Sequence, residues 1–288
     1  RPKRSHHHDK SNKFDKKFVD FVRSIYETND FIPLHAPVFN GEEKKYISNA
    51  IDSTFVSSVG NLVNEFEKSI MSFTNSSYAV AFINGTSALH IALKIAGAKE
   101  NTEVLTQSLT FVGTCNAIKY CGSEPVFIDV DKNTLGLSAT SLRNFLDEFC
   151  ELRNDGFCWN KKSNKKIIAC VPMHTFGFPA DCLSIKKVCL AFNIQLIEDA
   201  AESLGSTHYD KHTGTFGEMG ILSFNGNKII TTGSGGMILT NDIKNANIAK
   251  HLSTTAKLSH EWEFDHDDVG YNYRLSNINA ALGIAQME

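Results

Sequence analysis

The sequence predicts an α/β fold, a mainly parallel sheet with helices on both faces, and three observations predict it. Between residues 78 and 199, short apolar runs alternate with stretches of helical apolar spacing, the pattern that parallel strands joined by crossover helices require. The 288 residues are 42% hydrophobic and 21% charged, enough to bury a full core as one large domain or one domain plus part of another. The residues with chemical potential gather where the strand patterns end, and such sheets bind ligands beyond the carboxyl ends of their strands.

Residues 1–17 are basic and polar, with His6-His7-His8-Asp9 in the middle. They read as a disordered tail instead of a metal site. Residues 18–26 have helical apolar spacing and are expected to dock on the body or on a partner chain. A second helical pattern covers 41–53, with Tyr46, Ile47, Ala50 and Ile51 on one face; 54–62 is a polar loop and 64–73 returns to helix. Strands are predicted at 78–83, 104–107, 125–130, 166–172 and 195–197. Helices are predicted between them at 86–96, 112–120, 139–149 and 183–192. Residues 151–163 break the rhythm and read as a surface insertion. Two short strands, 219–224 and 237–240, flank a Gly-rich turn, and a last helix covers 277–287.

The net charge of -3 and the isoelectric point near 6.4 give no basic field for nucleic acid or an anionic membrane. A small-molecule substrate is the better expectation. No apolar run approaches bilayer length and the N-terminus is polar, so a cytoplasmic protein is expected. The seven cysteines are odd in number, form no C-x-x-C pair and mostly fall inside apolar patterns, which points to reduced buried thiols and no zinc site.

Four segments carry chemistry. Asn84-Gly85-Thr86-Ser87 is a glycine turn opening a helix with two hydroxyls, where backbone N–H groups and the helix dipole favour a phosphate. Taken alone it is equally consistent with plain helix capping. Phe111 stands where a strand opens into a helix and can stack on a flat ring, although a lone Phe usually belongs to a core. Asp199 ends a buried strand, where a carboxylate needs a partner such as a protonated heterocyclic nitrogen; a helix N-cap is the bland alternative. Lys228 follows Ser223-Phe224-Asn225-Gly226-Asn227, between an apolar strand and a Gly-rich turn, where it can be held near backbone and away from bulk water, so its amine is a usable nucleophile and a candidate Schiff-base lysine. Together these are the parts that pyridoxal 5'-phosphate requires.

The segments Asn84-Gly85-Thr86-Ser87-Ala88-Leu89-His90, Glu198-Asp199-Ala200-Ala201-Glu202, Ser223 to Lys228 and Gly270-Tyr271-Asn272-Tyr273-Arg274 resemble the DegT/DnrJ/EryC1/StrS sugar aminotransferases. The resemblance runs from about residue 31 to the last. Within that family the wording is most similar to the branch serving bacillosamine and legionaminic acid synthesis. It implies the large domain of a fold-type I pyridoxal-phosphate transferase, with a mostly parallel seven-stranded sheet between helices. It implies an N-terminal extension (1–30), a cofactor-binding domain (31–270) and the start of a small C-terminal domain (271–288) whose remainder is absent.

By the same resemblance Lys228 and Asp199 are catalytic, Phe111 stacks on the ring, and Thr86, Ser87 and Ser223 hold the phosphate. Asn272 would reach that phosphate from a neighbouring subunit of a homodimer. Glu202 falls near the ring hydroxyl, where relatives often carry Gln or His. The implied reaction is a ping-pong transamination from L-glutamate to C4 of a UDP-4-keto-6-deoxy-N-acetylhexosamine, with His174 and His35 among the candidates for binding the sugar. Two alternatives share the cofactor: a sugar dehydratase, which in this family carries histidine at the lysine position, and a cofactor-binding protein without turnover. A nicotinamide enzyme fits poorly, because Gly233-Ser234-Gly235-Gly236 runs into a strand and offers no helix N-terminus to a pyrophosphate.

Overall fold

The computed structural model describes residues 12–58, 60–259 and 262–288, so the His6-His7-His8 segment lies outside the described residues. The chain divides into two units, Arg1–Ala36 and Pro37–Glu288. The first contains α1 (Asn12–Tyr26), which begins well before residue 18, inside the stretch expected to be a tail. Asp15 in its first turn and Arg23 in its last complement the helix dipole.

The second unit opens with α2 (Glu43–Asp52) and α3 (Asn61–Thr74). Then strand and helix alternate: β1 (Tyr78–Phe82), α4 (Gly85–Ala96), β2 (Thr102–Gln107), α5 (Val112–Tyr120), β3 (Glu124–Ile128) and α6 (Ala139–Phe149). The short strands β4 (Cys150–Leu152) and β5 (Cys158–Asn160) precede β6 (Lys165–Val171), α7 (Cys182–Ala191) and β7 (Gln195–Asp199). The small hairpin β8 (Thr207–His208) and β9 (Lys211–His212) leads to β10 (Met219–Ser223), β11 (Gly236–Thr240), α8 (Ile243–Ser253) and α9 (Asn277–Met287).

The main sheet has nine strands, seven of them in the order β1-β11-β10-β7-β6-β2-β3, with β5 paired to β6 and β4 to β5. The pairs β10–β7, β7–β6, β6–β2 and β2–β3 are parallel, whereas β11 runs antiparallel to both its neighbours. The side-chain period of two then divides the strands between two cores. Val80, Phe82, Ile197, Ile221 and Ile238 pack on one face against α4, α5 and α8 through Leu89, Leu93, Ile118 and Leu252. On the other face Leu105, Cys170 and Leu196 meet α6 and α7, and Ala79, Leu222 and Leu239 meet α3 and α9 through Phe66, Ile70 and Ala280. Helices therefore cover both faces, as the alternation predicts.

Two stretches depart from expectation. Residues 151–163 are not a plain insertion: β4 and β5 form a hairpin whose second strand pairs antiparallel with the first half of β6. The polar character of that segment hid its pairing partner. Residues 243–253 form a helix whose buried face is only Ala246, Ala249, Leu252 and Ser253, too small an apolar stripe to announce itself. The small residues Ala280, Ala281 and Ala285 lie on the buried face of α9, which packs against α2 and α3. All seven cysteines are free thiols, five of them buried. Among the described residues, no helix is long and apolar enough to cross a membrane.

Candidate functional site

A cavity of about 200 Å³ opens beyond the carboxyl ends of β7 and β10, where β1 also ends. It is lined by Thr86, Phe111, Asp199, Glu202, Ser223 and Lys228 among others, so six of the eight residues expected from the sequence share one wall system.

The anion end is built by α4. Asn84 caps that helix, its Oδ1 accepting the Ser87 N–H at 2.8 Å. First-turn N–H groups have no partner inside a helix, and Gly85 and Thr86 of this turn line the cavity. The Thr86 and Ser223 hydroxyls flank them. Ser87, expected at the phosphate, is buried and does not line the cavity; its contribution is the N–H that receives the cap.

The aromatic wall is Phe111, at the residue before α5, with 65% of its surface exposed in the chain alone. A Cβ added at Gly113 would lie 2.9 Å from the Phe111 ring and 3.1 Å from Thr86 Oγ1, so a hydrogen is the only side chain that lets ring and hydroxyl keep these positions. Gly113→Ala is expected to push the Phe111 ring across the cavity and weaken retention of a planar ligand about tenfold or more, a shift of ~1.4 kcal/mol. Equilibrium dialysis against pyridoxal 5'-phosphate, with unchanged thermal unfolding of the ligand-free protein as the control, checks it.

Asp199 ends β7, and its carboxylate is held on two sides. Oδ2 accepts the Thr114 hydroxyl at 2.7 Å and Oδ1 accepts the Ala201 N–H at 3.2 Å. Burial pushes this carboxyl above its ordinary value, although both hydrogen bonds and the nearby Lys228 charge oppose the rise. A desolvated carboxylate of this kind gains from a cationic partner, which a protonated pyridine nitrogen supplies. Thr114 is the functional residue that sequence reasoning passed over. It lies 85 positions from Asp199, and nothing local marks it as the orienting hydroxyl.

Lys228 sits on the loop between β10 and β11. Its N–H bonds the Asn225 carbonyl at 3.0 Å, and the loop neck is closed by Phe224 N–H to Gly235 O at 2.8 Å. Two side chains of α9 brace the far side: Gln286 Oε1 accepts the Thr231 N–H at 3.3 Å and Asn279 donates to the Thr232 carbonyl. So held, Lys228 Nζ projects to Glu202 Oε1 at 3.1 Å.

Besides Ser87, two more candidates lie away from this cavity, and for Asn272, expected at the phosphate of a neighbouring subunit, that is the expected position. Asn272 is exposed and outside it, its Oδ1 accepting from Arg274 at 2.9 and 3.1 Å. His174 is fully buried and satisfied, which overturns it as a sugar-binding candidate. Its Nδ1 accepts the Ala180 N–H at 3.0 Å, so the proton sits on Nε2 and faces Glu198 Oε2 at 3.0 Å. Cys182 approaches the same carboxylate oxygen at 3.6 Å. The three ligand atoms lie within 4.8 Å of one another, yet both ring nitrogens are already engaged, so the cluster is a hydrogen-bonded knot in the core. His35 lies in the other unit of the chain.

The residues present fit pyridoxal 5'-phosphate: a helix start flanked by the Thr86 and Ser223 hydroxyls, an exposed aromatic face, a buried carboxylate wanting a cation, and an amine, all on one cavity. The comparisons agree. Residues 37–288 match the model of the DegT/DnrJ/EryC1/StrS aminotransferase family. The chain is 39% identical over 259 residues to GDP-perosamine synthase of Escherichia coli O157:H7, covering 90% of this chain and 66% of that protein. It is 37% identical over 257 residues to GDP-perosamine synthase of Caulobacter vibrioides, covering 89% and 64%. Among solved structures, PseC of Helicobacter pylori, an aminotransferase involved in the biosynthesis of pseudaminic acid, superposes with a TM-score of 0.78 at 25% identity, covering 89% of this chain and 65% of that one. The chain thus spans just under two thirds of the length of these relatives. On the strength of the family match and these identities, the chain belongs to the DegT/DnrJ/EryC1/StrS aminotransferase family.

Proposed function

We propose that the protein is a pyridoxal-phosphate-dependent aminotransferase that moves an amino group from L-glutamate to C4 of a nucleotide-linked 4-keto-6-deoxy sugar. The observation that carries the reading is the presence of Lys228 Nζ on the same cavity as the buried, Thr114-oriented Asp199 carboxylate. When bound, the cofactor supplies an aldehyde that carries the amino group and a ring that takes up negative charge.

Each residue then has a task. The first turn of α4, Thr86 and Ser223 anchor the phosphate. Phe111 holds one ring face and excludes water from it. Asp199 keeps the ring nitrogen protonated, with Thr114 fixing the direction of its carboxylate. Lys228 takes a proton at one carbon and returns it at another, first on the donor and then on sugar C4. Glu202, 3.1 Å from Nζ, sets where that amine rests between steps.

A UDP-linked N-acetylhexosamine is the acceptor that the sequence resemblance implies. The two relatives named GDP-perosamine synthase support a GDP-linked sugar as the second reading. Asn272, exposed on its own subunit, suits a contact to the phosphate of a neighbouring copy in a homodimer. Free buried thiols and small polar substrates suit the cytosol.

The test incubates the purified protein with pyridoxal 5'-phosphate, L-glutamate and either the UDP- or the GDP-linked 4-keto-6-deoxy sugar. The expected result is 2-oxoglutarate and amino sugar in equal amounts, from one nucleotide in preference to the other. Sugar deoxygenated without nitrogen gain overturns the reading in favour of dehydration. A yellow protein that releases no 2-oxoglutarate overturns it in favour of cofactor binding alone.

A further inference from the structure

Resting on the nucleotide-sugar reading above, we propose that Phe176 is a specificity-determining residue that stacks on the nucleobase of the substrate. The turn Thr175–Gly177 follows β6 and packs against backbone of residues that line the cavity. Met173, just before it, lines the cavity, and the His174 N–H bonds the Asp199 carbonyl at 3.1 Å. On the other side, a Cβ at Gly177 (φ +84°) would lie 2.8 Å from the carbonyl oxygen of the cavity residue Glu202.

The flanks of this turn are pinned. Thr175 Oγ1 accepts from Gln107 Nε2 at 2.9 Å and donates to the Leu135 carbonyl at 2.9 Å. Ser206 Oγ donates to the Gly177 carbonyl at 2.7 Å. Between these anchors Phe176 is held in the left-handed region, at φ 54° and ψ 23°, with 71% of its surface exposed. Neither property helps the fold. A bulky side chain in that region is strained, and a ring this exposed buries little, so a glycine or asparagine would serve the turn better. Strain maintained by surrounding anchors beside cavity-lining residues points to a role in binding.

Volume limits what the cavity holds. The cavity holds about 200 Å³, below the roughly 300–1,000 Å³ of ordinary small-molecule sites, and the cofactor ring must share it with the reacting sugar carbon. The nucleoside diphosphate is therefore left outside, across the rim. Its base offers a flat π face, and a rigid aromatic is the side chain that recognises such a face without demanding hydrogen bonds.

The test uses the holoprotein and measures dissociation constants for UDP, GDP and inorganic pyrophosphate by titration calorimetry. Phe176→Ala is expected to weaken the preferred nucleoside diphosphate about 5- to 100-fold and to leave pyrophosphate unchanged, with Phe176→Tyr restoring the loss. Phe176→Gly is expected to raise the thermal unfolding midpoint while losing the same nucleotide affinity, a combination that a structural role would not produce. Equal nucleotide binding by wild type and Phe176→Ala overturns the assignment, as does a change in sedimentation alone, which would give Phe176 to a contact between copies. A wild-type protein that holds neither UDP nor GDP removes the nucleotide-sugar reading itself, a result distinct from the loss of Phe176 alone.

Discussion

Lys228→Ala is expected to lose amino transfer by at least about 10²–10⁴-fold, the part that a positioned acid–base group supplies, and to lose the borohydride-trapped pyridoxyl label as well. The fold should not change. Nζ and Glu202 form an ion pair whose side chains are 13% and 28% exposed, and a partly solvated pair of this kind is worth roughly 0–1 kcal/mol. Its loop is also held independently, by the Phe224–Gly235 and Thr232–Phe224 backbone bonds and by Gln286 and Asn279 from α9. Chemistry and stability should therefore separate: unfolding within ~1 kcal/mol of wild type, and no labelled lysine on peptide mapping of the reduced holoprotein. A pyridoxyl group found on a different lysine in the wild-type protein would remove Lys228 from the site.

The largest loss of stability is expected at Glu198, one residue from Asp199 and outside the cavity. Its fully buried carboxylate accepts N–H groups from Gly214 at 2.7 Å, Gly217 at 2.8 Å and Phe216, in addition to the His174 Nε2–H. Glu198→Ala strands these donors without water, at a cost of about 3–5 kcal/mol against a total stability of roughly 5–15 kcal/mol. Urea unfolding at pH 7 measures it. Burial by itself would raise the Glu198 carboxyl, but the His174 hydrogen bond and the Gly217 and Gly214 N–H groups outweigh it and hold the carboxyl below the usual 4.5. A folded value below the unfolded one means that the unfolded chain binds more protons as pH falls. The contribution is then complete above pH 4.5 and is lost as pH drops through the depressed folded value. Wild-type stability should fall with acid more steeply than that of Glu198→Gln. Parallel pH curves for the two would show that the carboxylate is not charged in the fold.

The legible part of the molecule is its local part. The helices at Val112–Tyr120, Ala139–Phe149 and Asn277–Met287 begin and end where their patterns predict. Ser138 and Ser276 cap the latter two, accepting N–H groups three residues on, and a cap followed by apolar periodicity is written in a few adjacent letters. Residues 243–253 show the limit. An alanine-rich buried stripe is enough to pack a helix on a sheet and too weak to declare it.

The site follows the same division. Thr86, Phe111, Asp199, Ser223 and Lys228 were legible because each stands at a strand end, and the order of strand ends in a parallel sheet delivers them to one edge. What orients them was not. Thr114 reaches Asp199, His174 turns from a ligand candidate into the partner of Glu198, and α9 braces the lysine loop, through contacts between residues 24 to 85 positions apart.

By itself the sequence determined the kinds of chemistry available, through residue types placed at turns and helix starts whose geometry depends on neighbouring letters alone. The tertiary structure decided which hydroxyl, carbonyl or carboxylate each of those groups would face. That choice depends on which strands lie side by side, and side-chain hydrogen bonds act only over about 3 Å, a distance that no spacing along the chain encodes.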